Sequence, residues 1–64
     1  MTPALLEAEI AKAERKLNEI SEQMSRPEVV RDAMELVKLD EDYRQTEAHL
    51  AVLYNQWEEA AAKS

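Results

Sequence analysis

Apolar residues recur with a seven-residue period through the second half of the chain, between Leu36 and Ala60. Two such series run three residues apart, and together they mark the a and d positions of a coiled-coil strand. The a positions are Leu36, Tyr43, Leu50 and Trp57. The d positions are Leu39, Thr46, Leu53 and Ala60. A helix with such a stripe must bury it against another helix.

A second stripe of the same period lies in the first part of the chain. Its members, spaced alternately by four and three residues, are Leu6, Ile10, Ala13, Leu17, Ile20 and Met24. Thr2 followed by Pro3 is typical of a helix start, because threonine caps the first turn and the missing N–H of proline costs nothing there. We therefore predict a helix over about residues 3–24, whose stripe matches that of the second half.

The segment around Pro27 separates the two stripes. Proline keeps the preceding residue, Arg26, out of the helical conformation and cannot donate a hydrogen bond inside a helix. We predict a break at about residues 25–28 and a second helix over about residues 28–62, starting close to Pro27. Two helices joined by a short break lie antiparallel, so the predicted fold is all-α, a two-helix antiparallel coiled-coil hairpin in one domain.

Two registers of this hairpin are compatible with the stripes. In the first, Leu6 pairs with Leu50, and Trp57 extends beyond the partner helix with nothing to cover it. In the second, Leu6 meets Trp57 and Ala13 meets Leu50, and residues 25 to about 38 form a longer tip containing a helical turn. We favour the second register, because it alternates large with small residues across the seam and buries the tryptophan.

The composition limits what the chain can be. Its 64 residues include no glycine and no cysteine, so it can form neither a glycine-rich phosphate loop nor a disulfide, which suits the cytoplasm. No apolar run approaches the roughly 18 residues that a membrane span requires. The net charge of −6 argues against a general affinity for nucleic acid, although seven of the eight basic residues lie between Lys12 and Arg44.

No combination of residues in the sequence predicts a catalytic site, a metal site or a cofactor. His49 is the single histidine, and no carboxylate lies three or four residues from it, so we interpret it as a solvated residue at the edge of the stripe. Asp40, Glu41 and Asp42 are consecutive and point about 100° apart on a helix, so they do not converge on one ion. We therefore predict no enzyme activity, no cofactor and no small-molecule substrate.

The aromatic residues fall on or beside the second stripe. Tyr43 and Trp57 occupy a positions, and we interpret them as core residues. Tyr54 occupies an e position next to the stripe, where it can either flank the core or meet a partner.

An apolar cluster near the break has both a structural and a functional interpretation. Its members are Val29, Val30, Ala33, Met34 and Val37. The structural interpretation, which we favour, is that the cluster covers Ile20 and Met24 and closes the end of the hairpin. The functional one, compatible with the first, is a contact surface whose basic neighbours bind RNA or DNA phosphates. The candidate contact residues are Arg26, Arg31 and Lys38 near the tip, with Lys12, Arg15, Lys16 and Arg44 along the shaft.

Three segments of the chain resemble the C-terminal coiled-coil domain of ABC-F ATPases, which are soluble proteins with tandem ABC cassettes. They are LEAEI at residues 6–10, MSRPEVV at 24–30 and LYNQWEE at 53–59. The last segment resembles the L-Y-x-x-W-E-E ending typical of that domain. The chain departs from the pattern before Pro27, where it has Arg26 and the family often has an acidic residue.

The resemblance implies a module excised from a longer cytoplasmic ATPase, whose ATP sites lie outside this chain. It also implies action on the ribosome, in translation or antibiotic resistance, with ribosomal RNA or DNA as a partner. Two alternatives remain open. One is a structural module that self-associates into a four-helix bundle through its exposed seam, and the other is the N-terminal helical region of a peptide-chain release factor, which residues 27–30 resemble. Trp57 and its flanking acids favour the ABC-F resemblance.

Overall fold

The computed structural model describes residues 2–63, which form three helices. In chain order these are α1 (Pro3–Met24), α2 (Pro27–Val30) and α3 (Ala33–Lys63). The long helices α1 and α3 pack against each other as a hairpin, and no strand occurs within the described residues. The predicted all-α fold is therefore confirmed.

Hydrogen bonds at both ends of α1 explain its bounds. Thr2 Oγ1 accepts a hydrogen bond from the Leu5 N–H at 3.2 Å, and Pro3 stands in the first turn. At the other end, the Ser25 hydroxyl donates to the Glu22 carbonyl at 2.7 Å. These contacts satisfy backbone groups that a helix end leaves without intrahelical partners.

The break after α1 is confined to Ser25 and Arg26. Arg26 is extended, with φ −71° and ψ 136°, as expected of a residue that precedes proline. Pro27 already occupies the first turn of α2. The observed break is therefore shorter than the one predicted over about residues 25–28.

The core of the rod lies along the seam between α1 and α3. The structure measures 49 × 14 × 12 Å along its principal axes. Every buried residue in the described part of the chain occupies an a or d position of the predicted stripes. These residues are Leu6, Ile10, Ala13 and Ile20 on α1, and Leu39, Thr46 and Leu53 on α3. The buried hydroxyl of Thr46 donates to the Asp42 carbonyl at 2.8 Å, so the seam contains no unsatisfied side-chain polar group among these residues.

The packing near the chain termini identifies the register. One core cluster contains Leu6, Ile10, Ala13 and Leu53, with Leu50, Trp57 and Ala60 packed against it. The Trp57 Nε1–H donates to Glu7 Oε1 at 3.3 Å, so the tryptophan lies against the first turns of α1. The second register is therefore confirmed, and the first, which left Trp57 uncovered, is wrong.

The second predicted helix is divided in two, which corrects the continuous helix expected over about residues 28–62. α2 ends at Val30 and α3 begins at Ala33. Asp32 accounts for the division, because its Oδ1 accepts a hydrogen bond from the Glu35 N–H at 3.2 Å and caps the first turn of α3. An Asp followed three residues later by Glu is a helix-start signal, which the surrounding apolar run concealed.

Replacing Asp32 by alanine tests this cap. Asp32→Ala removes the acceptor for the Glu35 N–H, and we expect the free energy of unfolding to fall by about 1 kcal/mol. Asp42→Ala is the matched control, because Asp42 is exposed inside α3, where alanine is the better helix former. Urea unfolding followed by circular dichroism measures both variants, and an equal loss of stability in the control would contradict the capping role.

Candidate nucleic-acid interface

Three of the candidate contact residues surround the tip, the end of the rod where all three helices meet. Arg26 precedes α2, Arg31 follows it, and Lys38 lies near the start of α3; all three are exposed. Arg26 forms an ion pair with Glu22, with 3.3 Å between Nη2 and Oε1. Arg31 and Lys38 form no ion pair with another described residue. Their charges are therefore available to a partner.

The other four candidates lie on the shaft in two separate places. Lys12, Arg15 and Lys16 line one depression on α1, together with Glu19. Arg44 lies on α3, where its Nε is 3.0 Å from Asp40 Oδ2. The structure thus brings the three basic residues of α1 together and leaves Arg44 in an ion pair within its own helix.

A groove of about 360 Å³ runs between α1 and α3 beside the basic residues of α1. The small buried residues Ala13 and Thr46 line it, one from each helix. The charged and titratable residues around it are Glu9, Lys12, Lys16, Asp42 and His49. His49 is exposed, as the sequence predicted. Because acidic and basic side chains both surround the groove, it has no dominant charge that would select an ion.

The apolar cluster at the tip does not close the end of the hairpin. Met34, Val37 and Val30 are 84%, 68% and 55% exposed, and only Val29 of the cluster is half-buried. The predicted cover over the end of α1 is therefore wrong for most of the cluster. The heptad positions indicate this exposure in the sequence. When the heptad frame is extended backwards along α3, Met34 falls at f and Val37 at b, and both positions lie outside the stripe.

Residues 2–63 contain neither a group of metal ligands nor a membrane span. No three His, Cys, Asp or Glu side chains there are grouped as a metal ion would require. None of the helices in that range is long and apolar enough to cross a bilayer.

Comparison with known proteins gives a family match. The family model described as ABC transporter C-terminal domain matches residues 4–62, nearly the whole chain. No curated protein and no solved structure gives a significant match. The family match agrees with the ABC-F resemblance carried by residues 53–59 and favours it over the resemblance to release factors. The chain therefore belongs to the family of ABC transporter C-terminal domains.

Proposed function

We propose that the chain is a non-catalytic accessory module of an ABC-F ATPase, and that its tip contacts nucleic acid, either ribosomal RNA or DNA. The parent protein would be cytoplasmic, would hydrolyse ATP in cassettes outside these residues, and would act in translation or antibiotic resistance. Family membership supports the accessory role. The exposed side chains at the tip support the contact.

The observation that carries this proposal is the composition of the tip surface. Arg31 and Lys38 are exposed beside Met34, Val37 and Val30, which are more than half exposed. Guanidinium and ammonium groups donate hydrogen bonds to phosphate oxygens, and aliphatic side chains pack against base edges. A solvated helix end would expose charge alone, whereas exposed apolar side chains in a group are typical of a contact surface.

The charge distribution restricts the kind of contact that we expect. Glu28, Asp32 and Glu35 lie in the same segment as the basic residues of the tip, and the chain as a whole has a net charge of −6. No broad positive field therefore attracts nucleic acid to this end of the rod. Affinity should come from a few positioned phosphate contacts and should be modest.

Titration with single-stranded RNA and with duplex DNA, at low and at moderate salt, tests the contact. We expect saturable binding that weakens steeply with salt, because each phosphate contact releases counterions. The tip variant, Arg26→Ala/Arg31→Ala/Lys38→Ala, should lose most of this binding. Its logarithmic salt dependence should be less steep by about two to three units, since each contact contributes roughly 0.7 to 0.9.

A shaft variant provides the matched control. Lys12→Ala/Arg15→Ala/Lys16→Ala removes the same number of positive charges from another part of the rod, and we expect it to retain most of the binding. Equal losses in the two variants would show that net charge governs binding and would contradict the role of the tip. If the unsubstituted chain bound neither RNA nor DNA at low salt, the nucleic-acid contact itself would be wrong.

A further inference from the structure

The three aromatic residues of the chain lie on one side of α3. Tyr43 and Trp57 occupy a positions, and Tyr54 occupies an e position, which neighbours a on the helix surface. Tyr43 and Trp57 are half-buried, and Tyr54 is 42% exposed. The interpretation of Tyr43 and Trp57 as core residues is thus only partly correct, because both remain partly accessible to solvent.

The seam between the long helices is asymmetric on α3. Three of its four d residues, Leu39, Thr46 and Leu53, are buried, whereas the fourth, Ala60, and all four of its a residues are half-buried. The half-buried a residues are Leu36, Tyr43, Leu50 and Trp57. The d side of α3 therefore points at α1, and the a side opens toward the neighbouring e positions and the solvent.

Carboxylates border this open side. All charged residues at e positions of the long helices are acidic: Glu7, Glu14, Asp40 and Glu47. Glu7 accepts the hydrogen bond from Trp57, and Asp40 is paired with Arg44. Glu14 and Glu47 are exposed, and no ion pair with another described residue neutralises either.

The register places these two glutamates on neighbouring layers of the seam. Glu14 follows Ala13, which lies in the cluster against which Leu50 packs, and Glu47 is three residues before Leu50. Like charges on one edge of a helix pair repel each other, and a cation placed between them would relieve that repulsion. We name the surface formed by the following residues the aromatic–acidic face: Tyr43, Leu50, Tyr54, Trp57, Glu14 and Glu47.

The total exposed area leaves room for a partner on such a face. The chain has an accessible surface of 4934 Å². A standard protein–protein interface takes roughly 800 Å² from each partner, which is a small part of this surface. The rod is 49 Å long, so a partner helix of several turns can lie along it.

We propose that the aromatic–acidic face docks an amphipathic helix rich in Lys and Arg from a partner protein. The apolar side of that helix packs on Tyr43, Leu50 and Trp57, and its cations lie against the two free glutamates and the ring of Tyr54. Tyrosine and tryptophan are the side chains that most often dominate such interfaces. A second copy of this chain is a poorer occupant, because it would bring the same carboxylates against each other.

A synthetic helical peptide tests the docking directly. The probe carries leucine at a and d positions, lysine at most others and no tryptophan, so the fluorescence of Trp57, the single tryptophan of the chain, reports its binding. We expect saturable binding accompanied by a change in Trp57 emission, weakened by salt. A peptide with glutamate in place of every lysine, and a lysine peptide with its leucines scrambled out of the heptad, should bind at least about ten-fold more weakly.

Paired variants separate the face from the overall charge. Glu14→Gln/Glu47→Gln should weaken binding of the lysine peptide about five-fold, whereas Glu19→Gln/Glu41→Gln removes as many charges from exposed positions elsewhere and should have little effect. Tyr54→Ala should weaken binding about ten-fold without loss of helix content, because the residue lies outside the core.

Three outcomes would overturn the docking proposal. If the two glutamine pairs weakened peptide binding equally, net charge and not this face would govern the binding. If the lysine and glutamate peptides bound equally well, the charges of the face would not select the partner. The third outcome comes from sedimentation of the chain without peptide. If the chain formed a dimer and Tyr54→Ala dissociated it, the occupant of the face would be a second copy of the chain. The tip variant should bind the peptide normally, so failure here and failure of the nucleic-acid contact are distinguishable.

Discussion

Leu6→Ala should remove most of the stability of the hairpin. Leu6 is 1% exposed and belongs to the core cluster against which Trp57 and Ala60 pack. Truncating a buried leucine typically costs about 2–5 kcal/mol, because transfer energy is lost and a cavity remains. A domain of this length has a total free energy of unfolding of about 3–10 kcal/mol. We therefore expect a large shift of the urea midpoint and visible loss of helix at room temperature.

The adjacent leucine is an unusually close control. Leu5 is 56% exposed, so Leu5→Ala makes the same chemical change one residue away on the outside of α1. Alanine is the better helix former, and we expect stability to change by no more than about 0.5 kcal/mol. Urea unfolding followed by far-ultraviolet circular dichroism compares the two variants. Similar losses in both would mean that α1 does not bury the side that faces α3.

The core could be predicted from the sequence because one physical requirement determines it. A helix of this composition has no other apolar stripe wide enough to bury, so the residues at a and d must face the partner helix. Leu6, Leu39 and Leu53 were therefore identified without any structure. The register could be predicted from the sizes of the side chains, because Trp57 needs a partner to cover it and the small Ala13 leaves space for Leu50.

The stripes alone do not determine the exposure of the tip, because the tip lies before Leu36, where the heptad frame has to be extended backwards. Apolar residues next to an open helix end can bury themselves against it, so the sequence favours a cover made of the tip valines and Met34. Asp32 prevents this, because its cap starts a new helix whose direction and phase leave Met34 and Val37 exposed. The cap therefore accounts for the start of a new helix, and the heptad phase of that helix leaves Met34 and Val37 in the solvent.

The exposure of the candidate contact residues could be predicted from the sequence, and their arrangement only in part. That all seven basic candidates are exposed follows from their positions outside the stripes. Arg26 and Arg44 each have an acid four residues earlier, so their ion pairs were visible in the spacing. The rotation of α3 that half-exposes Tyr43 and Trp57 was not visible, because heptad spacing treats a and d positions as equally buried.

Leu53→Asp should prevent the hairpin from forming at neutral pH. Leu53 is 5% exposed and lies in the same core cluster as Leu6, Ile10 and Ala13. None of these neighbours can pair with a carboxylate, and burying an unpaired charge costs several kcal/mol. Asp is also too short to carry its charge out to the solvent as lysine would. The expected result is an unfolded chain by circular dichroism.

Val52→Asp supplies the control and makes the cause of the effect measurable. Val52 is 52% exposed, so the same carboxylate is introduced on the surface one residue away, and the hairpin should persist. Burial raises the pKa of a carboxyl group, so the penalty in Leu53→Asp is smallest below the ordinary Asp pKa of about 3.9 and grows as pH rises above it. The stability difference between the two variants should therefore narrow in acid. Protonation of the carboxyl group abolishes the cost of removing its charge from water. If the stability difference between the two variants did not depend on pH, the loss of stability would therefore be due to lost packing and not to the buried charge.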